Sequence, residues 1–181
     1  MRNVWFAALV VFSIAAGSAT GTAAKDKDKD KDKGRDDEVT LRASLRGANE
    51  VPPINTPATG RFTATIHRDG TIDFTFSYAN LSGNPLVSHI HFAQPNVNGG
   101  VMIFLCGGGG QPLCPVAQSA TITGTITSAN VVGLAAQGIT AGDLAPPLRV
   151  IANGEGYVNI HTPLFPAGEA RGQLSVRRRD N

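Results

Sequence analysis

A two-residue alternation of apolar and polar side chains, repeated in short segments, constrains the fold of this chain more than any other feature. In VTLRASLR, residues 39–46, apolar residues alternate with polar ones, and RFTATIH and TIDFTFSY repeat the pattern. Because successive side chains of an extended strand point to opposite faces, each segment predicts a half-buried antiparallel β-strand. The turn sequence HRDG lies between the last two segments and predicts a hairpin.

Further segments predict the rest of the sheet. VMIFLC is continuously apolar, which is typical of a strand buried on both faces, whereas SATITGTIT, GYVNIHT and EARGQLSV alternate. Pro146 and Pro147, with an N-cap at Thr140 or Asp143 and Gly154 behind them, predict one short helix. We expect an all-β fold, either an antiparallel sandwich or a partly closed barrel of immunoglobulin-like or Greek-key type. It should have seven or eight strands and one short helix near 143–153.

The first 24 residues have the pattern of a cleavable secretory signal. Arg2 supplies a positive charge, residues 4–16 are apolar except for one serine, and TGTAA ends in the small residues that a signal peptidase requires. We expect cleavage after Ala24, with Ala19 as the alternative. Since the apolar run is short for a bilayer, the mature protein should have no membrane span and should be secreted or periplasmic.

Charged segments flank the expected domain. KDKDKDKDKGRDDE, residues 25–38, has no apolar side chain to bury, so it predicts a disordered linker. RRRDN, residues 177–181, predicts a disordered basic tail. The single domain between them, residues 39–176, contains six arginines, no lysine and six carboxylates. Its charges therefore balance, and nothing in them indicates a nucleic-acid partner.

Cys106 and Cys114 are the only cysteines in the chain. Their spacer, GGGGQPL, is able to turn back on itself, and an exported protein meets oxidising conditions, so we expect a disulfide. A two-thiol metal site or redox pair is the alternative, although the spacing is not CxxC.

Three histidines are candidate metal ligands. In SHIHFAQ, His89 and His91 occupy alternate positions and share one face of a strand, and in GYVNIHT, His161 shares its face with Tyr157 and Asn159. If these strands are neighbours, the imidazoles converge and suit Cu²⁺ or Zn²⁺. Alternatively they are structural histidines that hydrogen-bond to Tyr157, Asn159 or the backbone. The sequence leaves both hypotheses open.

Polar residues near the C-terminus form a second group of interest. In PAGEARGQL, Glu169, Arg171 and Gln173 occupy alternate positions and share one face of a strand. Glu169 and Arg171 are either a buried pair that fixes strand register or part of a ligand-facing polar cluster. In the loop GANEVPPINTPATG, Asn49 and Glu50 are expected to cap a turn or to meet Arg171. The predicted structural polar cluster comprises Asn49, Glu50, Tyr157, Asn159, Glu169, Arg171 and Gln173.

The sequence contains no standard catalytic signature. It has no GxSxG, no HExxH and no GxxxxGK[ST], and the glycine run at 107–110 precedes Gln-Pro rather than a helix. We therefore expect no catalytic residue and no enzymatic activity.

Three motifs, in this order, resemble the CHRD domain. They are LRGANEVPP followed by TG, then HIHFAQPNVNGGV, then GYVNIHTPLFPAGEARGQL, and the resemblance extends over residues 39–176. The chain departs from the usual HIHxG of that family, because Phe92, Ala93 and Gln94 follow the histidines, and from GEIRGQ, where it has Ala170. The resemblance implies an immunoglobulin-like or barrel-like all-β module, which occurs singly in exported bacterial proteins, and it implies no specific activity.

Two functional hypotheses follow. The first is a non-catalytic extracytoplasmic binding or structural module, whose partner is an unknown extracytoplasmic protein or envelope component. The second is a small metalloprotein or metal-dependent redox protein with copper or zinc at His89, His91 and His161. The HxH strand is also similar to that of copper/zinc superoxide dismutase, but the chain lacks the further zinc-ligand loop of that enzyme, so dismutase activity is not expected.

Overall fold

Nine antiparallel strands form one sheet in the computed structural model, which describes residues 39–178. The strands are β1 Val39–Arg46, β2 Thr59–Ile66, β3 Ile72–Ala79, β4 Val87–Phe92, β5 Gly100–Cys106, β6 Ala120–Ile126, β7 Gly156–His161, β8 Ala170–Gln173 and β9 Ser175–Arg178. The one α-helix in this range, α1, is Ala145–Ala152.

The sheet is nearly closed and barrel-like, so the second of the two expected arrangements is the one observed. Its strands lie in the order β5, β4, β7, β8, β1, β2, β3, β6, and β9 pairs with β1. Beyond β6 the chain returns to β5, where Ile103 forms a bridge with Val131 and Val132 N–H donates to Met102 O at 2.9 Å. This bridge joins the two ends of the strand order.

The predicted fold class is confirmed, with one strand more than the expected seven or eight. The additional strand arises because EARGQLSV, which alternates throughout, is interrupted at Leu174 and contributes both β8 and β9. Helix α1 lies within the expected segment, but the predicted N-cap at Thr140 or Asp143 is wrong, because the N-cap residue is Leu144. Asp143 Oδ1 accepts a hydrogen bond from Ala145 N–H at 2.9 Å. Gly154 follows the helix with a positive φ of 75°.

The prediction of a disordered tail from residue 177 is wrong at its start. Arg177 and Arg178 belong to β9, where they pair with Thr40 and Val39 of β1. The backbone of β1 offers hydrogen-bonding groups at this edge, and pairing satisfies them whatever the charge of the incoming residues. The remaining tail residues, 179–181, and the predicted signal peptide and linker, 1–24 and 25–38, lie outside the described residues.

Alternation places a continuous apolar face inside the sheet. On β1, β2 and β3 the inward residues are buried, including Leu41, Phe62 and Phe76, each with no exposed surface. The aromatic rings pack together, with centroids 6.0 Å apart for Phe62 and Phe74 and 6.5 Å apart for Phe62 and Phe76. Burial of each such side chain contributes roughly 1.5–3 kcal/mol, so this face is the main source of stability.

Strands β4 and β7 are buried on both faces, unlike β1 and β3. Every residue of β7 is buried, and so are the four central residues of β4. Ile90 and Val158, together with Ser88, face the core, and the three histidines, Tyr157 and Asn159 lie on the opposite face. This second, polar face positions the candidate site.

The predicted disulfide is confirmed. Cys106, the last residue of β5, is bonded to Cys114, with Cα atoms 4.9 Å apart. Across residues 39–178, no helix is long and apolar enough to cross a membrane.

Candidate functional site

The register between β4 and β7 brings the three histidines onto one face. His89 lies opposite Asn159, His91 lies opposite Tyr157, and Val87 lies opposite His161. Side chains at paired positions point to the same side of a sheet, so the HIH motif and the YVNIH motif present their polar residues together. The convergence that the sequence left open therefore occurs.

The imidazoles are close enough to act on a common ligand. One ligand nitrogen from each of His89, His91 and His161 lies within 4.8 Å of the others. The ring centroids of His89 lie 5.2 Å from His91 and 4.9 Å from His161. The three residues are only 7–8% exposed, so water has little access to the centre.

Asn159 occupies the middle of the three histidines. Its Oδ1 lies 3.0 Å from His91 Nε2 and 2.9 Å from His161 Nε2. The opposite ring nitrogens face backbone carbonyls, because His91 Nδ1 lies 3.0 Å from Gly99 O and His161 Nδ1 lies 3.0 Å from Pro166 O. Both rings are thus held at two points.

These contacts fix the tautomer of both rings. A neutral imidazole has one N–H, and a carbonyl oxygen only accepts, so Nδ1 of His91 and His161 must donate to Gly99 and Pro166. The Nε2 atoms then present lone pairs toward Asn159, which satisfies both when its amide nitrogen, with two hydrogens, faces them. Nε2 lone pairs with Nδ1–H held by backbone carbonyls are the arrangement typical of metal-ligating histidines.

His89 is held differently from the other two. Its Nδ1 is buried and has no hydrogen-bond partner among the described residues. The edge of its ring packs against Phe104 of β5, at 4.5 Å between centroids and 87° between planes. An unpartnered buried nitrogen costs about 1–3 kcal/mol, which makes His89 the member of the set with most to gain from a ligand.

Burial keeps all three rings neutral. Burial, together with the nearby His161 and His91, lowers the pKa of His89 to about 3, although a hydrogen bond to Asn159 acts in the opposite direction. Burial likewise lowers the pKa of His91 to about 4, against a hydrogen bond to Gly99. The pKa of His161 is lowered for the same reason. Near pH 7 each ring therefore keeps one unprotonated nitrogen, the form that binds a metal ion.

The donor set fits one transition metal ion after a small adjustment. Zn–N bonds are 2.0–2.1 Å, so two nitrogens on one ion lie at most about 4.2 Å apart, and about 3.4 Å apart in a tetrahedron. The observed separation of up to 4.8 Å requires ring movements of about an ångström. The Asn159 amide must also move, or become a ligand through its oxygen.

A stack of rings supports His91 from the side of β8. His91 lies parallel to Tyr157, at 4.6 Å between centroids and 4° between planes. Arg171 Cζ lies 3.4 Å from the centre of the Tyr157 ring, in cation–π contact on a buried residue. Arg171 also donates to Val97 O at 2.8 Å, to Gln94 O at 3.2 Å and to the side chain of Asn98 at 3.3 Å. It thereby orders the loop between β4 and β5.

Glu50 lies beside this stack, and its Oε1 has no hydrogen-bond partner among the described residues. That oxygen is buried, and burial raises the pKa of Glu50 to about 7, although the positive charge of Arg171 opposes the rise. Gly168, with φ of 131°, lies against the carboxylate, and a Cβ there would be 2.6 Å from Oε1. The backbone conformation at 168 therefore favours glycine, and a Cβ there would displace the Glu50 carboxylate.

Glu169 belongs to a separate network. Its Oε1 accepts hydrogen bonds from Thr56 Oγ1 and Ser82 N–H, both at 2.8 Å. Its Oε2 accepts from Ser82 Oγ at 2.8 Å and Thr162 Oγ1 at 2.7 Å. Four donors from three segments surround this fully buried carboxylate, so Glu169 holds the loops after β1, β3 and β7 together.

The expected ion pair between Glu169 and Arg171 is absent, although they are two residues apart. The only ion pair found within residues 39–178 joins His67 to Asp73, at 2.9 Å. Arg171 instead pairs in register with Asn159, and Asn49 Nδ2–H donates to Arg171 O at 3.1 Å. The predicted polar cluster is therefore two groups, one around Arg171 and one around Glu169.

Gln173 and several unpredicted residues complete the site. Gln173 Nε2 donates to Ala93 O and Gly154 O, at 3.0 and 2.8 Å. Sequence reasoning missed the carbonyls of Gly99 and Pro166, because any residue supplies a carbonyl. One signal was present at Gly99, since a Cβ there would overlap the carbonyl oxygen of Phe92. A glycine so close to the histidine strand marks a close approach of the backbone.

Comparison with known proteins finds one family that the chain matches. The family model described as the CHRD domain matches residues 41–174, which is most of the chain. No curated protein and no solved structure gives a significant match.

Proposed function

The chain belongs to the CHRD domain family, and from that premise we propose that it is an exported, non-catalytic binding module whose buried histidine centre takes one copper or zinc ion. The observation that carries the proposal is the approach of three neutral imidazole nitrogens to within 4.8 Å of one another. Two of these rings already have Nδ1 tied to a carbonyl, which directs Nε2 to the centre.

Export is supported by two independent features. The first 24 residues have the charged, apolar and small-residue regions of a secretory signal. Cys106 and Cys114 form a disulfide, a bond that persists in oxidising compartments and is rare in the cytosol.

A binding role, rather than catalysis, is supported by how the polar groups are used. Glu169 is saturated with four donors, and Arg171 is engaged by the Tyr157 ring and by three acceptors. Such groups orient and rigidify a site, and they are not available to transfer protons. In the bound state His89, His91 and His161 would be the ligands, with Gly99 and Pro166 holding the outer ring nitrogens of two of them.

Metal content tests the binding proposal directly. The chain is expressed with its own N-terminus, recovered from the periplasm and medium without chelators, and its copper and zinc are measured by mass spectrometry. We expect about one ion per chain in the wild type and its loss in His161→Ala, because three protein ligands hold a site that two do not. His67→Ala, which removes a half-exposed histidine outside the centre, should keep the ion.

Equal metal content in wild type, His161→Ala and His67→Ala would refute the site. Export is tested separately on the same samples by intact mass. A mature chain beginning at Lys25 supports it, and a full-length chain confined to the cytoplasm refutes it. The redox alternative uses the same three histidines, and turnover of a redox substrate by the loaded protein, lost in His161→Ala, would favour it over a binding role.

A further inference from the structure

Four arginines form a row on the outer surface of the sheet, on strands other than the histidine strands β4 and β7. Arg42 and Arg46 lie on β1, Arg61 on β2 and Arg177 on β9, and all four are exposed. They occupy the positions that alternate with the buried core residues of their strands, so they point away from the core. We call this surface the arginine face.

The strand register spaces the arginines evenly. Arg46 pairs with Thr59 and Arg61 pairs with Ser44, so Arg61 is a diagonal neighbour of both Arg46 and Arg42. Arg42 pairs with Ser175, which makes Arg177 its diagonal neighbour on the other side. Diagonal neighbours on adjacent strands lie roughly 7–8 Å apart. The result is a zigzag of four positive charges in even steps.

No carboxylate of the described residues neutralises this row. Within residues 39–178 none of the four side chains has a hydrogen bond or an ion pair. Asp73 is the acidic residue that β3 contributes to the same outer surface, and its carboxylate is held by His67 and Thr125. Like charges at this spacing repel one another, so an anion placed along the row would lower the energy of the surface.

Two shallow depressions follow the row and share Arg61. One, of about 320 Å³, lies between Arg46 and Arg61, and the other, of about 220 Å³, lies between Arg61, Arg42 and Arg177. Their polar lining consists of hydroxyl and amide side chains, including Ser44, and neither is lined by an acidic residue. Together they form an open, elongated groove rather than an enclosed pocket.

We propose that the arginine face binds an anionic polysaccharide whose sugar units carry carboxylate groups. The planar guanidinium fork matches a carboxylate in bidentate geometry, and serine and threonine hydroxyls both donate to and accept from sugar hydroxyls. An evenly charged open groove suits an extended polymer. The residues beside the arginines on this face, such as Thr63 and Ser77, offer no aromatic ring for base stacking and no apolar anchor for a protein partner.

This inference rests on the proposed export only in its choice of an extracellular polymer, and it does not involve the histidine centre. It is tested in vitro with the full chain as purified, in the presence of a chelator. Binding is measured by isothermal titration with alginate, with neutral dextran and duplex DNA as comparison ligands. The test variant is R42Q/R61Q/R177Q. The matched control, K29Q/K31Q/R149Q, removes the same number of positive charges outside the arginine face.

We expect alginate, and not dextran, to bind the wild type, with binding weakened by high salt because exposed charges are screened. R42Q/R61Q/R177Q should lose about tenfold or more in affinity, since three exposed charge contacts are removed. The control should stay within about twofold of the wild type. All the substituted arginines are exposed, and an unchanged melting temperature verifies that each variant is folded. If the triple variant does not fold, R61Q alone is compared with R149Q alone.

Four results would overturn the inference. The first three are no binding of alginate, an equal loss of alginate affinity in the two triple variants, and tighter binding of DNA than of alginate. The fourth is alginate binding that appears only after acidic residues 26, 28, 30 and 32 are changed to asparagine. The last result would mean that the chain's own charged segment occupies the face. A protein that binds alginate but is not exported, or lacks metal, would leave the inference standing and remove only the proposed function.

Discussion

The two halves of the sheet use their second faces in opposite ways. On β1, β2 and β3 the face away from the core consists mainly of arginine, serine and threonine, with Asp73, in contact with water. On β4 and β7 the corresponding face is buried and consists of histidine, asparagine and tyrosine. A polar group that water solvates needs no partner, whereas a buried one does.

This difference indicates on which face a substitution disturbs folding. The outer face of β1–β3 can change with little effect on folding, while every polar group on the face of β4 and β7 must be paired or must bind something. Nearly all of them are paired, through Asn159, Gly99, Pro166 and Arg171. The exception is His89 Nδ1, on one of the three candidate metal ligands.

The largest effect that tests this comparison comes from the core face. Phe76→Ala should destabilise the protein by roughly 3–5 kcal/mol, because Phe76 has no exposed surface and packs against Phe62 and Tyr78. Thr75→Ala, one residue away on the exposed face, should change stability by less than about 0.5 kcal/mol. Chemical denaturation of both variants measures this difference, and similar costs for the two would mean that the faces of β3 are assigned wrongly.

A second effect is the acid sensitivity of the histidine face in metal-free protein. The pKa values of His89 and His91 in the folded state, about 3 and 4, lie below the unfolded value near 6.5. The unfolded state therefore binds protons first as the pH falls, and stability is lost from about pH 6.5 downward, by about 1.4 kcal/mol per pH unit for each ring.

The free energy of unfolding of chelator-treated protein, measured between pH 7 and 5, shows this dependence. His91→Gln should flatten the profile, because it removes a ring that binds a proton over this range only in the unfolded state. A profile that is the same in the wild type and the variant would mean that burial does not lower the pKa of His91 in the folded state.

Glu169→Gln is expected to cost about 2–3 kcal/mol. The substitution replaces one acceptor oxygen with an amide that donates, so at least one of the hydroxyls of Ser82 and Thr162 loses its charged acceptor. Thermal and denaturant unfolding at pH 7 give the value. Wild-type stability in this variant would show that the four observed hydrogen bonds do not anchor the loops.

Glu50→Gln should have the smallest effect, although Glu50 is also a buried carboxylate. Its folded pKa of about 7 lies above the usual 4.5, so its contribution to stability is fully present below about pH 4.5 and is lost as the pH rises through 7. Glutamine imitates the protonated form, and the variant should be as stable as the wild type at pH 7 or more stable by about 1 kcal/mol. A loss above about 2 kcal/mol would show that the ionised carboxylate is needed beside Arg171.

The same contrast explains what the sequence predicted and what it did not. Alternation with apolar residues is a local signal, so the core faces of β1, β2 and β3, the disulfide and the short helix were all predicted correctly. The shared face of His89 and His91 also follows from alternation. The sequence did not show that β4 and β7 are neighbours, because strand order depends on the whole chain. The metal-site hypothesis had to assume it.

Contacts made through the backbone could not be predicted from the sequence. No pattern identifies Pro166 O or Gly99 O as the partner of a particular histidine, and no pattern shows that Glu169 turns toward Ser82 instead of Arg171. Glu169 immediately precedes β8, so the alternation that holds inside a strand does not fix its direction. The split between β8 and β9 was missed for a related reason, since both halves alternate.

The measurement that tests the central claim most directly is thermal unfolding of chelator-treated protein with and without excess Zn²⁺. If the buried face of β4 and β7 is a metal site, Zn²⁺ at a hundredfold excess over its Kd should stabilise the wild type by about 2.7 kcal/mol, a rise of roughly 5–10 °C in Tm. His161→Ala should show no rise, and His67→Ala should match the wild type. An unchanged wild-type Tm in saturating Zn²⁺ and in saturating Cu²⁺, or an equal rise in all three proteins, would contradict the account.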